Sequence, residues 1–176
     1  DSSTSRGLGD VYKRQLLGGS SSINGLVFVR GQKLDYDTWA QMGNTGWSYD
    51  EVLPFFKKME NYQGKSSELR GKEGPLKVSE VSDRNPIYDA LFKSGEVNGI
   101  PFNEDYNGED QEGIGYTQTT IYKGERMSAE VAYLKPIKSR DNLTISTNSL
   151  VTKLLFEGKT CICLLYTSPS PRDVEE

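Results

Sequence analysis

A run of glycine, serine and asparagine at residues 18–25 contains residue types suited to hold a ligand. Its two adjacent glycines let the backbone approach a ligand closely, and successive backbone N–H groups can bind phosphate oxygens. Serine hydroxyls and the Asn24 amide add hydrogen-bond donors. The run is not a P-loop, because no Gly-Lys-Ser/Thr follows, and it is not the G-x-G-x-x-G of dinucleotide-binding domains. On these residues alone, a ligand-binding loop and an ordinary structural turn both remain open.

Histidine is absent from all 176 residues. The commonest general base and the commonest metal ligand are therefore missing from this stretch. The acidic residues of the loop at 102–113 raise the idea of a calcium site, but their spacing does not fit the twelve-residue EF-hand loop. We therefore predict no metal site here, and we interpret the acidic loop as a solvated face.

Composition and charge exclude several classes of protein. The net charge of −4 provides no basic stripe, so we expect no nucleic-acid partner. No apolar run approaches the roughly 20 residues of a membrane span, so we predict no transmembrane segment. With 35% hydrophobic and 26% charged residues, the chain is typical of a soluble globular domain. We expect a cytoplasmic protein, or one held at the membrane periphery.

The two ends of the chain differ in origin from the rest. Residues 5–15 and 163–173 read SRGLGDVYKRQ and CLLYTSPSPRD. A DNA string that encodes the first encodes the second on its opposite strand, and that DNA resembles a transposase adapter used in sequencing libraries. We therefore predict that residues 1–15 and 162–176 are translated adapter and flanking sequence. Cys161 and Cys163 are then not a redox or metal-binding pair.

Helices and strands are predicted from local patterns in the remaining stretch. A helix is predicted at residues 35–42, and a second follows the capping-box pair Ser48 and Glu51, with Pro54 expected to kink or shorten it. A third should begin at Asn85–Pro86 and end near Gly99. Ser128 should cap a short helix that Pro136 stops. Strands are predicted at residues 26–29, 75–80 and 114–122, and a strand pair at 142–147 and 150–156. Residues 63–72 read as a surface loop. The predicted fold class is α+β or mixed α/β.

Residues 17–31, LGGSSSINGLVFVRG, resemble the first signature of the glucose–methanol–choline (GMC) oxidoreductase family, L-G-G-S-S-x-I-N-G-x-V-x-x-R-G. Further blocks of that family follow in order and cover nearly all of residues 16–161. They are DYDTW at 35–39, GWSYDEVLPFF at 46–56, GPL at 74–76, FNEDYNG at 102–108, RMSAEVAYL at 126–134, NLT at 142–144 and LVT at 150–152.

The resemblance implies a fragment of a two-domain flavoprotein with an FAD-binding α/β domain and a substrate domain built on an antiparallel sheet. Residues 16–31 would be an FAD-contacting loop and strand, and 32–73 a helical lid or linker. Residues 74–125 would belong to the substrate domain, and 126–161 would return to the FAD domain.

The resemblance also implies which residues contact FAD. Some choline-oxidising relatives attach FAD covalently through a histidine at the position of Ile23, so the isoleucine implies non-covalent FAD. The implied FAD contacts are Leu16, Leu17, Gly18, Gly19, Ser20, Ser21, Asn24, Gly25, Leu26, Val27 and Val151.

The implied activity is FAD-dependent oxidation of a CH–OH group, taking choline or another primary alcohol to the aldehyde by hydride transfer to the flavin. The substrate would be a small-molecule alcohol, and the electron acceptor is unknown. The family's catalytic base is a histidine near the C-terminus, and its N-terminal G-x-G-x-x-G unit binds the ADP moiety. Neither occurs here, so we expect an incomplete fragment that alone is inactive and binds FAD weakly or not at all. The alternatives are a GMC-type hydroxynitrile lyase and a non-catalytic binding module.

Overall fold

The computed structural model describes residues 16–65 and 68–167, which fall into two compact units, Asp1–Ile137 and Lys138–Glu176. Residues 1–15 and 168–176 of the predicted adapter-derived segments lie outside the described residues. The two units are mixed α/β and all-β respectively, with small sheets. None of the helices formed by residues 16–65 and 68–167 has the length and apolar character that a membrane span requires.

A three-stranded sheet forms the centre of the first unit. Strand β1, Glu60–Tyr62, pairs in parallel with β2, Leu76–Glu80, and β2 pairs antiparallel with β3, Gln118–Thr119. Val78 at the middle of β2 is fully buried and packs with Tyr62 and Phe28 in the apolar core. The strand predicted at 75–80 is confirmed.

The other strand predictions for the first unit need correction. Residues 114–122 form only β3 and the short β4, Ile121–Tyr122, which pairs with β5, Glu125–Arg126. Residues 26–29 form no strand, and their one ladder contact is an isolated bridge from Val27 to Thr119. The physical reason is Leu26, whose φ of +67° turns the chain out of the extended conformation that strand pairing needs.

Two helices follow the loop at 16–31. Helix α1, Lys33–Gln41, begins two residues before its predicted start because Gln32 donates its backbone N–H to the Asp35 carboxylate at 2.9 Å. Helix α2, Tyr49–Met59, contains Pro54 in its interior and is not shortened by it. The apolar face of α2 is only partly covered, since Phe55 is 69% exposed.

The capping box predicted at the start of α2 is confirmed. The Ser48 backbone N–H and hydroxyl donate to Glu51 Oε2 at 3.1 and 2.6 Å. These hydrogen bonds lower the pKa of Glu51 from its ordinary 4.5, because they favour the charged carboxylate. A lowered pKa contributes stability that is present above the unfolded-state pKa and lost as pH falls through the folded-state value.

We therefore expect the wild type to be more stable than Glu51→Gln, with the largest difference near neutral pH and a smaller difference below about pH 4.5. Urea unfolding at a series of pH values measures it. A difference that stays constant down to pH 3 would show that the Glu51 charge contributes nothing to the cap.

Helix α3, Pro86–Val97, begins and ends as predicted. The Asn85 side chain accepts the Ile87 backbone N–H at 3.1 Å, and Gly99 follows the helix with φ +78°. The helix predicted after Ser128 is a π-helical turn, Glu130–Leu134, and the Ser128 hydroxyl accepts the Val131 N–H at 3.2 Å. The helical conformation does not end before Pro136, because a 3-10 turn follows directly over Lys135–Ile137.

The second unit is a β-hairpin. Strand β6, Leu150–Glu157, pairs antiparallel with β7, Thr160–Thr167, so the pairing predicted between 142–147 and 150–156 is wrong. The physical reason is the short connection through Gly158, whose φ of +59° suits a tight hairpin turn. β7 contains residues 162–167, which belong to the segment predicted to be adapter-derived.

Candidate functional site

The loop at residues 16–27 contains one 3-10 turn, Gly19–Ser22. Gly18 and Gly19 enter it with φ of +85° and +57°, a backbone region that glycine adopts without steric cost. The Ser21 hydroxyl donates to the Gly18 carbonyl, and the Ser22 hydroxyl donates to the Leu17 carbonyl at 2.6 Å. These two hydroxyls therefore hold the loop together instead of pointing toward a ligand.

Arg126 braces the loop from the β4–β5 hairpin. Its Nη1 donates to the Asn24 carbonyl and to Asn24 Oδ1, both at 2.9 Å, and to the Ser21 carbonyl at 3.2 Å. The Ala129 backbone N–H donates to the Ser21 hydroxyl at 2.8 Å. Residues about a hundred positions downstream in the chain therefore determine the shape of this loop.

Gly18 is the position at which the loop tolerates a side chain least. A Cβ there would lie 2.6 Å from Ser22 Oγ and 3.0 Å from the Glu130 backbone nitrogen, whereas a Cβ on Gly19 would meet nothing within 4 Å. We expect Gly18→Ala to destabilise the protein by about 1–3 kcal/mol more than Gly19→Ala, because both have positive φ and only the first clashes. Denaturant unfolding of both variants measures this difference, and equal losses would contradict the tight packing at Gly18.

The outer side of the loop is open and combines donors with apolar surface. A Cβ on Gly25 would also meet nothing within 4 Å. Among the residues that the structure describes, the backbone N–H groups of Gly25 and Val27 donate to no protein acceptor. Leu16 and Leu17 are 54% and 44% exposed, and Val27 is 55% exposed. This arrangement suits a flat, partly apolar ligand that carries hydrogen-bond acceptors.

A buried cluster of charges supports the segment that leaves the loop. Glu60 accepts hydrogen bonds from Arg30 Nη2 at 2.6 Å and from Arg70 Nε at 2.9 Å, and the side chains of all three are at most 3% exposed. Arg70 Nη1 also donates to Asp105 at 2.6 Å and lies 2.9 Å from Gln118 Oε1. Two guanidinium groups thus meet two carboxylates, which keeps the buried cluster close to neutral.

Side chains of the acidic loop bind the backbone of residues 28–30. Asn107 Oδ1 accepts the Arg30 backbone N–H at 2.7 Å, and Gln111 donates to the Arg30 carbonyl at 2.8 Å. The Tyr106 hydroxyl donates to the Phe28 carbonyl at 3.0 Å. Burial raises the pKa of Tyr106, so this hydroxyl keeps its proton at neutral pH. The interpretation of this loop as a solvated face is therefore wrong for Asp105 and Asn107.

The predicted site residues fall into two groups. Ten of them, residues 16–21 and 24–27, form the continuous loop braced by Arg126. The eleventh, Val151, lies in the second unit on β6, where it pairs with Tyr166 of β7. Arg126 was not predicted as part of the site, although it occurs in the sequence block at 126–134. No local pattern in the sequence marks Glu60 or Arg70 as buried.

Comparison with known proteins identifies the family. The family model described as GMC oxidoreductase matches residues 11–172. The chain is 46% identical over 148 residues to an oxygen-dependent choline dehydrogenase of Brucella anthropi, covering 84% of this chain and 27% of that protein. It is 42% identical over 149 residues to the mitochondrial choline dehydrogenase of Homo sapiens, covering 85% and 25%.

Solved structures agree on the fold. An FAD-dependent oxidoreductase from Chaetomium thermophilum superimposes with a TM-score of 0.79 and 31% identity, over 87% of this chain and 28% of that one. Pyridoxine 4-oxidase from Mesorbium loti gives a TM-score of 0.76 and 33% identity, over 85% and 30%. These likenesses confirm the predicted fold class, a mixed α/β part of a GMC flavoprotein.

The chain spans about a quarter of the length of the curated relatives that it matches. The family match nevertheless covers most of the chain, and both choline dehydrogenases exceed 40% identity. The chain therefore belongs to the GMC oxidoreductase family of FAD-dependent oxidoreductases.

Proposed function

We propose that this chain is part of an enzyme that oxidises the CH–OH group of choline, or of another primary alcohol, to the aldehyde by hydride transfer to FAD. The observation that supports it most is the loop at residues 16–27, which Arg126 contacts and which combines exposed apolar side chains with two backbone N–H groups that have no acceptor among the described residues. The similarity to two choline dehydrogenases favours choline as the substrate. The electron acceptor is unknown.

The loop's own groups fit the proposed cofactor. The backbone N–H groups of Gly25 and Val27, for which the described part of the chain provides no acceptor, can donate to carbonyl or phosphate oxygens, as can N–H groups of the glycine-rich turn. Leu16 and Leu17 offer apolar surface that a ring can cover. The residues that we propose to contact FAD are Leu16, Leu17, Gly18, Gly19, Ser20, Ser21, Asn24, Gly25, Leu26, Val27 and Val151.

FAD, when bound, supplies the acceptor for the hydride that leaves the alcohol carbon. The residues of this chain would bind and orient the ring system, and Leu16, Leu17 and Val27 would keep water from its face. The alcohol proton needs a base, and the histidine-free sequence supplies no imidazole for it. We propose that the base is a histidine in a part of the protein beyond this sequence.

The chain alone should accordingly be inactive. We expect the purified 176-residue chain to bind FAD weakly or not at all and to show no choline oxidation, because most of the cofactor site would lie elsewhere. Quenching of FAD fluorescence and a choline-dependent dye-reduction assay measure the two properties. A purified chain that is yellow and active would contradict the proposal that it is an incomplete fragment.

We also propose that the flavin is held without a covalent bond. The isoleucine side chain at position 23 has no nucleophilic atom, and the described loop contains no histidine or cysteine. Acid precipitation of the flavin-loaded, longer protein should release all flavin into the supernatant. Flavin retained in the washed precipitate would contradict this proposal.

The division of the chain stays a proposal as well. We propose that residues 16–161 are native and that residues 1–15 and 162–176 are adapter-derived. Within the native stretch we propose an FAD-contacting segment at 16–31, a helical lid or linker at 32–73, a part of the substrate domain at 74–125 and a return to the FAD domain at 126–161. The 148 residues aligned with a choline dehydrogenase support a native stretch of about this length. The family match at 11–172 reaches into both end segments. Sequencing the source DNA across both junctions tests whether the ends are adapter-derived. If they are, the sequences SRGLGDVYKRQ and CLLYTSPSPRD should be absent from the gene.

A further inference from the structure

We infer that Arg126 is a positioning residue that orients the Asn24 side-chain amide, so that its Nδ2 hydrogens are presented to the ligand of the loop. The inference rests on the proposed function, because that ligand is the flavin cofactor proposed above. It adds a residue outside the proposed contact set and assigns the Asn24 side chain the role of a donor toward the ligand, while its oxygen accepts from the protein.

The partners of Asn24 determine how its amide is oriented. Asn24 Oδ1 accepts the Leu26 backbone N–H at 3.1 Å and Arg126 Nη1 at 2.9 Å. Both partners can only donate, so an amide turned by half a rotation would bring its NH2 group against two other donors. The oxygen must therefore face Arg126. Among the described residues, the Nδ2 group donates to no protein acceptor.

Arg126 also binds two backbone carbonyl oxygens of the loop. Its Nη1 contacts the carbonyls of Ser21 and Asn24 together with Asn24 Oδ1. Three acceptors thus point toward one guanidinium, which leaves donors to dominate the opposite side of the loop. A surface rich in donors fits the carbonyl and phosphate oxygens of a flavin nucleotide.

The β4–β5 hairpin explains how Arg126 reaches this position. Arg126 lies opposite Ile121 in the hairpin, and the connecting residues Lys123 and Gly124 have φ of +53° and +81°. Positive φ at both central residues is the geometry of a type I′ turn, which suits the twist of two short strands. The Met127 N–H then donates to the Thr120 carbonyl at 2.9 Å and extends the hairpin.

Hydrogen exchange of the Leu26 N–H in the cofactor-free 176-residue chain tests the inference without any enzyme activity. In Arg126→Met we expect this exchange to become about tenfold faster, because the Asn24 amide loses the partner that holds it in place. Arg126→Lys should restore part of the protection. Asn24→Asp should keep exchange slow, since a carboxylate still accepts from Arg126 and Leu26.

Two references separate this effect from general loosening. Arg84→Met removes an arginine that donates to the Val81 carbonyl at 2.6 Å elsewhere on the surface, and it should leave Leu26 exchange unchanged. The Gln63 N–H, which donates to the Val78 carbonyl at 2.8 Å, reports on the sheet. Unchanged Leu26 exchange in Arg126→Met, or an equal rise at Gln63, would overturn the positioning role.

The donor role of Asn24 is measured in the protein extended to the length of its relatives. There, Asn24→Asp should weaken FAD binding about tenfold, because it removes the NH2 donor while keeping the contact with Arg126. An unchanged FAD affinity would overturn the donor role. A wild-type protein that binds no flavin would instead contradict the proposed function, and the exchange result would still decide how Arg126 acts.

Discussion

Arg70→Met is expected to lower the free energy of unfolding by about 3–5 kcal/mol, because it removes one of the two arginines of the buried cluster and leaves the carboxylates of Glu60 and Asp105 with Arg30 as the one remaining cation. The side chains of Arg70 and Glu60 are fully buried, and the Arg70 Nε and Nη2 atoms lie 2.9 and 3.2 Å from the Glu60 oxygens. The substitution also removes the donor that Asp105 and Gln118 share. Chemical denaturation measures the loss.

The matched control is again an arginine on the surface. Arg84 pairs with Glu80 at 3.2 Å, but its side chain is 45% exposed. Exposed pairs contribute little because solvent screens them, so Arg84→Met should cost at most about 1 kcal/mol. If the two variants lost similar stability, the buried charge cluster would not be what supports the segment after the loop at residues 16–27.

Gly71→Ala is expected to cost about 3 kcal/mol, because the added methyl group would overlap backbone atoms that cannot move independently. A Cβ at this position would lie 1.9 Å from the Lys57 carbonyl oxygen and 2.9 Å from that of Glu60. The Gly71 N–H also donates to Glu60 Oε1 at 2.7 Å. Any shift that relieves the clash therefore disturbs the charge cluster too.

Gly25→Ala is the steric control for this substitution. A Cβ on Gly25 would meet nothing within 4 Å, and its φ is not positive. In the cofactor-free chain we expect its stability to change by no more than about 0.5 kcal/mol. Thermal unfolding of the two variants side by side measures the contrast, and a mild effect of Gly71→Ala would mean that the α2–β1 junction is looser than its geometry indicates.

Elements with local signals could be predicted from the sequence. The Ser48–Glu51 pair sets the start of α2, and Asn85–Pro86 sets the start of α3, because both caps act within one helical turn. The glycine-rich loop could also be located, since its residue types are distinctive. The hydrogen bonds from Arg126 to that loop could not be derived from local patterns, because Arg126 is about a hundred residues away in sequence.

Elements that depend on distant partners were mispredicted. The apolar run at 26–29 has the composition of a strand, but the positive φ of Leu26 and the side chains of the acidic loop give it a different set of hydrogen bonds. Residues 63–72 are polar and read as a surface loop, yet Arg70 is buried because Glu60 and Asp105 neutralise it. Burial of a charge depends on its partners, which no periodicity in the sequence reveals.

The absorption spectrum of the longer protein tests the central claim most directly. The gene would be recovered from the source DNA, expressed at the length of the choline dehydrogenases that the chain resembles, and purified without added cofactor. We predict a bound, oxidised flavin whose visible absorption is bleached when choline or another primary alcohol is added without oxygen. A colourless protein, or a bound flavin that no primary alcohol reduces, would contradict the account.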